Sequence, residues 1–452
     1  MEAPSLIVEF GEDLSISFAL GMEKLGGLQS QVPPGKPIFI AISMPYPEPA
    51  PSSTSFAILD LVLAEIQSLN EPQVVVAAVP EWGFAAEKVA NSLGLFELAK
   101  HYGAEFLVLD GIQRDLSSPT GIKATFPQEL LDSSYFISIP SIRFDPLQGF
   151  IAACEVNTQF LEVKEKLPQG NPKVCSENSL SLQDKALEAI LMALNKRLPD
   201  LTIVDGYNIL AGQGPALFTG GTQYNARFVL IGKNSFAVDL AIAKILGFAS
   251  NEIPLIERAQ QAGVVDEQAI SPENEIILQQ KQELVVPPPR AVKDFTYNLP
   301  NRINVSEGNA CCLCEQNLRV VCDFLREFGK KDLNLVEQLN FIVGSAPPTP
   351  RAKKNICIFG ECARNASQNA SFRSITIKRI VKTGEEKEVT KRNKKILEIR
   401  GCPPLPLETL RHISKFFSPS NFPSTTFWLA AWGNLQSKQK QKQTRAVHSR
   451  RA

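Results

Sequence analysis

Solid apolar runs alternate with segments whose apolar residues recur at helical spacing through the first 265 positions of the chain. FIAISMPYPEPAPSSTS starts as a buried strand and ends in a Pro/Ser loop, and FAILDLVLAEIQSL then reads as a helix. QVVVAAVP is a second buried strand, EKVANSLGLFELAKHYG a helix stopped by Gly103, and EFLVLD another strand. YFISIPSIRF reads as one more strand entering a loop. After the turn-rich LPQGNPKVCSENS, the segment SLQDKALEAILMALNKRLP predicts a helix with Leu187, Ile190, Leu191 and Leu194 on its apolar face. LTIVDGYNIL is a strand, GQGPALFTGG a glycine-rich loop, and RFVLIG a returning strand. SFAVDLAIAKILGF predicts a helix ending on Gly247, and NEIPLIERAQQAGV a short helix closed by Gly263. Strands that are Val/Ile/Leu throughout are those buried on both faces. The expected fold class is therefore α/β, a mostly parallel sheet flanked by helices, with a smaller Cys-rich α/β domain at the C-terminal end.

The boundaries follow from shifts in composition. Residues 1–270 form the α/β domain, 271–300 a strand and Pro-rich linker, 301–415 a cysteine-rich domain, and 416–452 a basic tail. The tail contains an apolar island, FWLAAWG, that could dock elsewhere or mark an interaction site. Net charge is zero, yet residues 351–452 hold 22 Lys+Arg against 6 Asp+Glu, leaving 25 against 41 in residues 1–350. A basic end on an acidic body leaves nucleic acid or an acidic partner open, although no aromatic residues interleave the final charges for base stacking. The 44% hydrophobic and 21% charged content is that of a soluble globular protein. No run reaches the roughly 20 apolar residues of a membrane helix, and MEAPSLIVEFGEDLS lacks a signal-peptide layout. The expectation is a cytoplasmic protein with no membrane partner.

Candidate chemistry in the first domain centres on glycines and carboxylates. Gly212, Gly214, Gly220 and Gly221 permit close backbone approach, and their exposed amides could cradle a small anion. A turn between two strands is the plainer account. The next element is a strand, so the loop is neither a dinucleotide fingerprint nor a P-loop. Asp110 and Asp205 end strands, where carboxylates of parallel sheets face a ligand crevice. Asp239 opens a helix and can serve there or interact with helix-end amides. These three aspartates are the catalytic candidates.

Seven of the nine cysteines fall between 311 and 402. Disulfides are not expected in a reducing compartment. Cys311-x2-Cys314 has the spacing at which two thiolates converge on one ion or cluster, just ahead of a helix. Cys312 could replace Cys311 only with a tighter bite, and Cys322 falls on the apolar face of NLRVVCDFLREFG as core filling. Cys357 and Cys362 frame ICIFGEC, and Cys402 precedes two prolines, a pattern frequent at iron–sulfur sites. The expected ligand set for a 4Fe–4S cluster is Cys311, Cys314, Cys362 and Cys402, with Cys357 in reserve. Zinc is the alternative metal, but a ribbon would need a second Cys-x2-Cys knuckle. Cys154 and Cys175 read as ordinary small residues.

LTIVDGYNILAGQGPALFTGG, FVLIGKNSFAVDLAIAKILGF and IPLIERAQQAGV together resemble the family catalogued as domain of unknown function 362. The resemblance runs back through LGLFELAKHYGAEFLVLDG and FPQELLDSSYFISIPSIRF, so it covers about residues 37–265. It implies an α/β fold in uncharacterised proteins often associated with iron–sulfur centres. Members often carry Lys-x-His after the strand matching FISIPSI, and Lys-Asn some ten residues later. Here those places read Arg143-Phe144-Asp145 and Glu155-Val156-Asn157, which removes the histidine and one lysine and leaves Asn157 as a ligand-binding candidate. The expected function is a redox-related iron–sulfur protein of this type that binds a small anionic ligand or a redox partner. The alternative is a non-catalytic assembly protein that holds zinc or no metal.

Overall fold

The structure, a computed structural model, describes residues 6–69, 72–81, 84–109, 128–145, 149–160, 197–261, 263, 299–350, 354–380 and 386–417. Asp110, most of the expected 181–199 helix, nearly all of the 271–300 linker and the tail with FWLAAWG lie outside the described residues. The chain divides into two compact units, Met1–Lys166 with Asp184–Asp294, and Leu167–Gln183 with Phe295–Ala452. Among the described residues no helix is long and apolar enough to cross a membrane.

The first unit contains strands β1 (Leu6–Phe10), β2 (Ile38–Ile42), β3 (Val74–Ala78), β4 (Glu105–Val108), β5 (Tyr135–Ile139), β6 (Ile142–Asp145), β7 (Gly149–Ile151), β8 (Leu201–Asp205), β9 (Ile209–Gly212), β10 (Gly221–Tyr224) and β11 (Phe228–Gly232). Seven form a sheet in the order β1-β11-β8-β5-β2-β3-β4. From β8 to β4 every pairing is parallel, and β11 runs antiparallel to both of its neighbours. Alternate residues feed two cores, which is why these strands are apolar throughout. Ile38, Ile40, Ile42, Ile137 and Ile139 pack with the helices Leu14–Leu25 and Phe56–Gln67 on one face. Phe39, Ala41 and Phe136 pack with Cys154, Phe160 and Phe236 on the other.

Two expected strands are each two strands. YFISIPSIRF divides around Pro140, and β5 stays in the large sheet while β6 joins a second sheet of order β10-β9-β6-β7. LTIVDGYNIL divides after Asp205 in the same way, into β8 and β9. The pairs β5/β8 and β6/β9 are both parallel, so neighbouring strands cross together from one sheet to the other. The helix expected over EKVANSLGLFELAKHYG is likewise two, Ala86–Leu93 and Leu95–His101, because Gly94 takes φ 75 and ends the first.

The second unit has a parallel sheet of β12 (Ile303–Glu307), β13 (Leu339–Val343), β14 (Ile356–Phe359) and β17 (Ile396–Ile399), in that order. A hairpin, β15 (Ser374–Ile380) with β16 (Glu386–Arg392), is inserted between β14 and β17. Helices Cys312–Phe328, Glu361–Ala366 and Pro406–Phe416 follow β12, β14 and β17 respectively.

Candidate functional site

The strand order of the large sheet reverses between β2 and β5, since the chain moves from β2 out to β3 and β4 on one side and from β5 to β8 on the other. Ligand crevices of open α/β sheets lie beyond the carboxyl ends of strands at such a point. Polar side chains stitch these two ends together. The Thr54 hydroxyl accepts from Ser43 N at 2.8 Å and donates to Ile139 O, and Ser141 N donates to Ser43 Oγ at 3.1 Å. Gln159 ties in the next strand, accepting from Val79 N at 2.8 Å and donating to Ile42 O at 3.2 Å. Asn157 opens the short 3-10 turn that carries Gln159.

Arg143 and Asp145, on β6, are both buried. Arg143 Nη1 donates to the Tyr46 hydroxyl at 3.0 Å, with its guanidinium carbon 5.7 Å from the ring centroid. Its two terminal nitrogens stand 3.5 and 3.4 Å from Glu81 Oε1. The Tyr46 hydroxyl in turn donates to Glu81 Oε2 at 3.4 Å.

The glycine loop is a hairpin turn between β9 and β10. Gly214 is required by contact, because a Cβ there would lie 2.0 Å from the carbonyl oxygen of Phe144. Gly212 and Gly220 have φ of 81 and 101, and Gly221 would set a Cβ 2.7 Å from Ala216 O. The loop does cradle an anion, and the anion is the protein's own. Leu217 N and Phe218 N donate to Glu48 at 2.9 and 3.3 Å, and Ser52 Oγ donates to the same carboxylate. Burial pushes Glu48 up to about 6, against the pull of those three donors. No local signal in the sequence pairs Glu48 with a loop 169 positions away.

Asp205 and Asp239 both spend their oxygens on protein donors. Asp205 accepts from Tyr207 N and Asn208 Nδ2, each at 2.7 Å, and holds the turn between β8 and β9. Its carboxyl is raised by burial. Asp239 accepts from Ala153 N at 2.7 Å and Cys154 N at 2.9 Å, and thereby caps the helix Ala153–Val156 from another element. Burial pushes it up to about 6. Cys154 is fully buried, and burial together with the Asp239 carboxylate raises its thiol.

In the second unit the carboxyl ends of three parallel strands each lead to cysteine. β12 leads to Cys311 and Cys314, β14 to Cys362, and β17 to Cys402. Parallel strands deliver their carboxyl ends to one edge, so residues up to 91 positions apart in sequence arrive together. The segments are tied at that edge: Gly360 N donates to Ile399 O at 2.9 Å, Glu361 N to Gly401 O at 3.2 Å, and Asn317 Nδ2 to Pro404 O at 2.9 Å. Gly360 has φ 91, and a Cβ there would stand 3.6 Å from Cys314 Sγ.

The Cys314 thiol is held well above its ordinary range, first by its hydrogen bond to Cys311, then by burial, and then by the charges of Cys311, Cys402 and Cys362. All four chosen cysteines therefore share one neighbourhood. Cys311 moves the other way, down to about 6, because it accepts from the Cys314 thiol and faces the amides of Cys314 and Leu313 at the start of the helix. Glu315 is pushed up to about 8 by burial and by Glu307 beside it. Among the described residues no three His, Cys, Asp or Glu side chains close on the position of a single ion. Cys357 sits elsewhere, fully buried in β14, where burial and then Cys322 raise its thiol. Cys322 is also fully in the core.

An α/β sheet with its crevice at a strand-order reversal defines the class of the first unit. The chain carries a domain of the family described as Domain of unknown function (DUF362), matched over residues 38–244. No curated protein matches the chain. Among solved structures it is similar to the lactate racemase apoprotein from Thermoanaerobacterium thermosaccharolyticum, at 14% identity and a TM-score of 0.36, over 75% of this chain and 69% of that one.

Proposed function

We propose that this DUF362 protein is a redox-related iron–sulfur protein, with one 4Fe–4S cluster held by Cys311, Cys314, Cys362 and Cys402, and that its α/β unit binds a small anionic ligand. The observation that carries the reading is the Cys314 thiol, which responds to each of the other three cysteines. The donor chemistry fits the group. Four thiols come from three tied segments, and Cys311 has thiolate character near neutral pH. The set is wider than the closed tetrahedron that zinc takes, which suits a cluster whose thiolates bind separate irons. When bound, such a cluster accepts and donates single electrons. The chain's own part is to hold the thiols, keep Cys314 buried, and leave Cys362 and Cys402 half-buried toward the surface.

Anaerobic purification of the full chain tests this. Iron and acid-labile sulfide near four per chain (about the content of one such cluster) and broad absorbance near 400 nm that bleaches with dithionite are expected. Cys402→Ser should lose most of the iron. A colourless protein with one zinc per chain would support a zinc-binding assembly protein instead, and a metal-free one would remove the cofactor altogether.

A further inference from the structure

We infer that Arg143 anchors a small carboxylate ligand, and that Glu81 holds the guanidinium until such a ligand takes its place. This rests on the reading of the first unit as a site for a small anionic ligand, and it names the residue and the ligand class.

Position comes first. β6 starts three residues after the end of β5, so Arg143 stands just beyond the strand-order reversal between β2 and β5. Its side chain is only 4% exposed, and a guanidinium removed from water calls for a counter-charge in good geometry. Glu81 meets it at 3.4 Å and 3.5 Å, whereas charge-assisted N–H···O bonds settle at about 2.7–2.9 Å. Glu81 is also 34% exposed, so this carboxylate reaches in from solvent and has a way back out. Tyr46 is the permanent neighbour. It is fully buried, lies beside the guanidinium, and hydrogen-bonds both Arg143 and Glu81. The pair therefore has one fixed half and one exchangeable half.

The ligand class follows from the present occupant and from what surrounds it. A planar carboxylate matches the guanidinium fork, and Glu81 already occupies that place with one. A phosphate would call on further donors. The Leu217 and Phe218 amides of the glycine loop are engaged by Glu48.

The test is titration of the full-length protein with acetate and succinate, with inorganic phosphate and chloride as controls, followed by thermal shift and calorimetry. Wild type, Glu81→Gln and Arg143→Lys are compared, and iron is measured on each preparation. Saturable binding of a carboxylate is expected. Glu81→Gln removes the internal competitor and should tighten binding several-fold, while Arg143→Lys loses the fork and should weaken it by about tenfold or more. If Arg143→Lys does not fold, Glu81→Gln decides alone, because it leaves the guanidinium in place. Failure of both wild type and Glu81→Gln to bind any anion overturns this inference together with the ligand reading. An anion that binds all three proteins equally, or phosphate that binds as well as the carboxylates, leaves the ligand reading standing and overturns the assignment to Arg143. Iron content reports on the cluster independently of every one of these outcomes.

Discussion

A carboxylate that has lost its water keeps its charge only where the protein supplies replacement donors. Glu48 is 3% exposed and has three, yet burial still wins and carries it from the ordinary 4.5 to about 6. Because the folded value lies above the unfolded one, the native state holds this proton to a higher pH. The associated stability is fully present below about 4.5 and is lost as pH rises through about 6. That shift corresponds to about 2 kcal/mol across the window. Asp239, raised in the same direction to about 6, adds a slope of the same sign. Glu48→Gln should therefore flatten the fall in stability between roughly pH 4.5 and 6.5 while leaving the Asp239 part, as urea melts at a series of pH values would reveal. A slope unchanged in this variant would mean that Glu48 is not the group that titrates. The sequence marks the loop as anion-cradling through its glycines. It has no way of marking the guest, which comes from a distant loop by tertiary folding alone.

At the scale of elements, the helix Cys312–Phe328 joins a polar end to an apolar flank. Its first turn presents Cys311 and Cys314, and Leu318, Val321, Cys322 and Leu325 pack inward behind them. Asp323 is buried on the same helix. Arg326 Nη1 lies 2.5 Å from its Oδ1, and Arg319 Nε lies 3.5 Å from its Oδ2. Burial pushes Asp323 up to about 6 despite both arginines. Asp323→Ala removes the acid that Arg319, itself mostly buried, is placed against. The expected cost is about 3 kcal/mol, seen as a lower melting temperature, and Asp323→Asn should restore part of it. The helix and the inward cysteine are legible from spacing alone, since both follow from the 3.6-residue period. The divided strands are not. YFISIPSIRF and LTIVDGYNIL are apolar on both sides of the crossing because each half enters a buried sheet, so periodicity has nothing to register at the break. The charged pair Arg143 and Asp145 in the fully buried β6 runs against that pattern, and it is there that the candidate ligand site lies.

Across the whole molecule the two units rest on different kinds of cohesion. The DUF362 unit is covered on both faces of a seven-stranded sheet. The second unit has a four-stranded sheet, and its carboxyl edge gathers the loops that bear Cys311, Cys314, Cys362 and Cys402. That gathering was legible in part: cysteine spacing and the proline after Cys402 single out four residues, but only parallel strand order explains why they meet. Metal bound to all four would link three separate chain segments, and binding to the native state alone adds its free energy to folding. Stripping the metal should therefore lower the transition of the second unit by roughly 10 °C and leave the transition of the DUF362 unit where it was. Differential scanning calorimetry of the full chain, as isolated and after anaerobic chelation, separates the two. Cys402→Ser should reproduce the chelated trace. Cys357→Ala should instead keep its iron, because that thiol lies in the core beside Cys322, and any loss of stability it shows comes from the small cavity it leaves. If Cys357→Ala loses iron and Cys402→Ser retains it, the ligand set is drawn from the interior of the sheet and not from its edge.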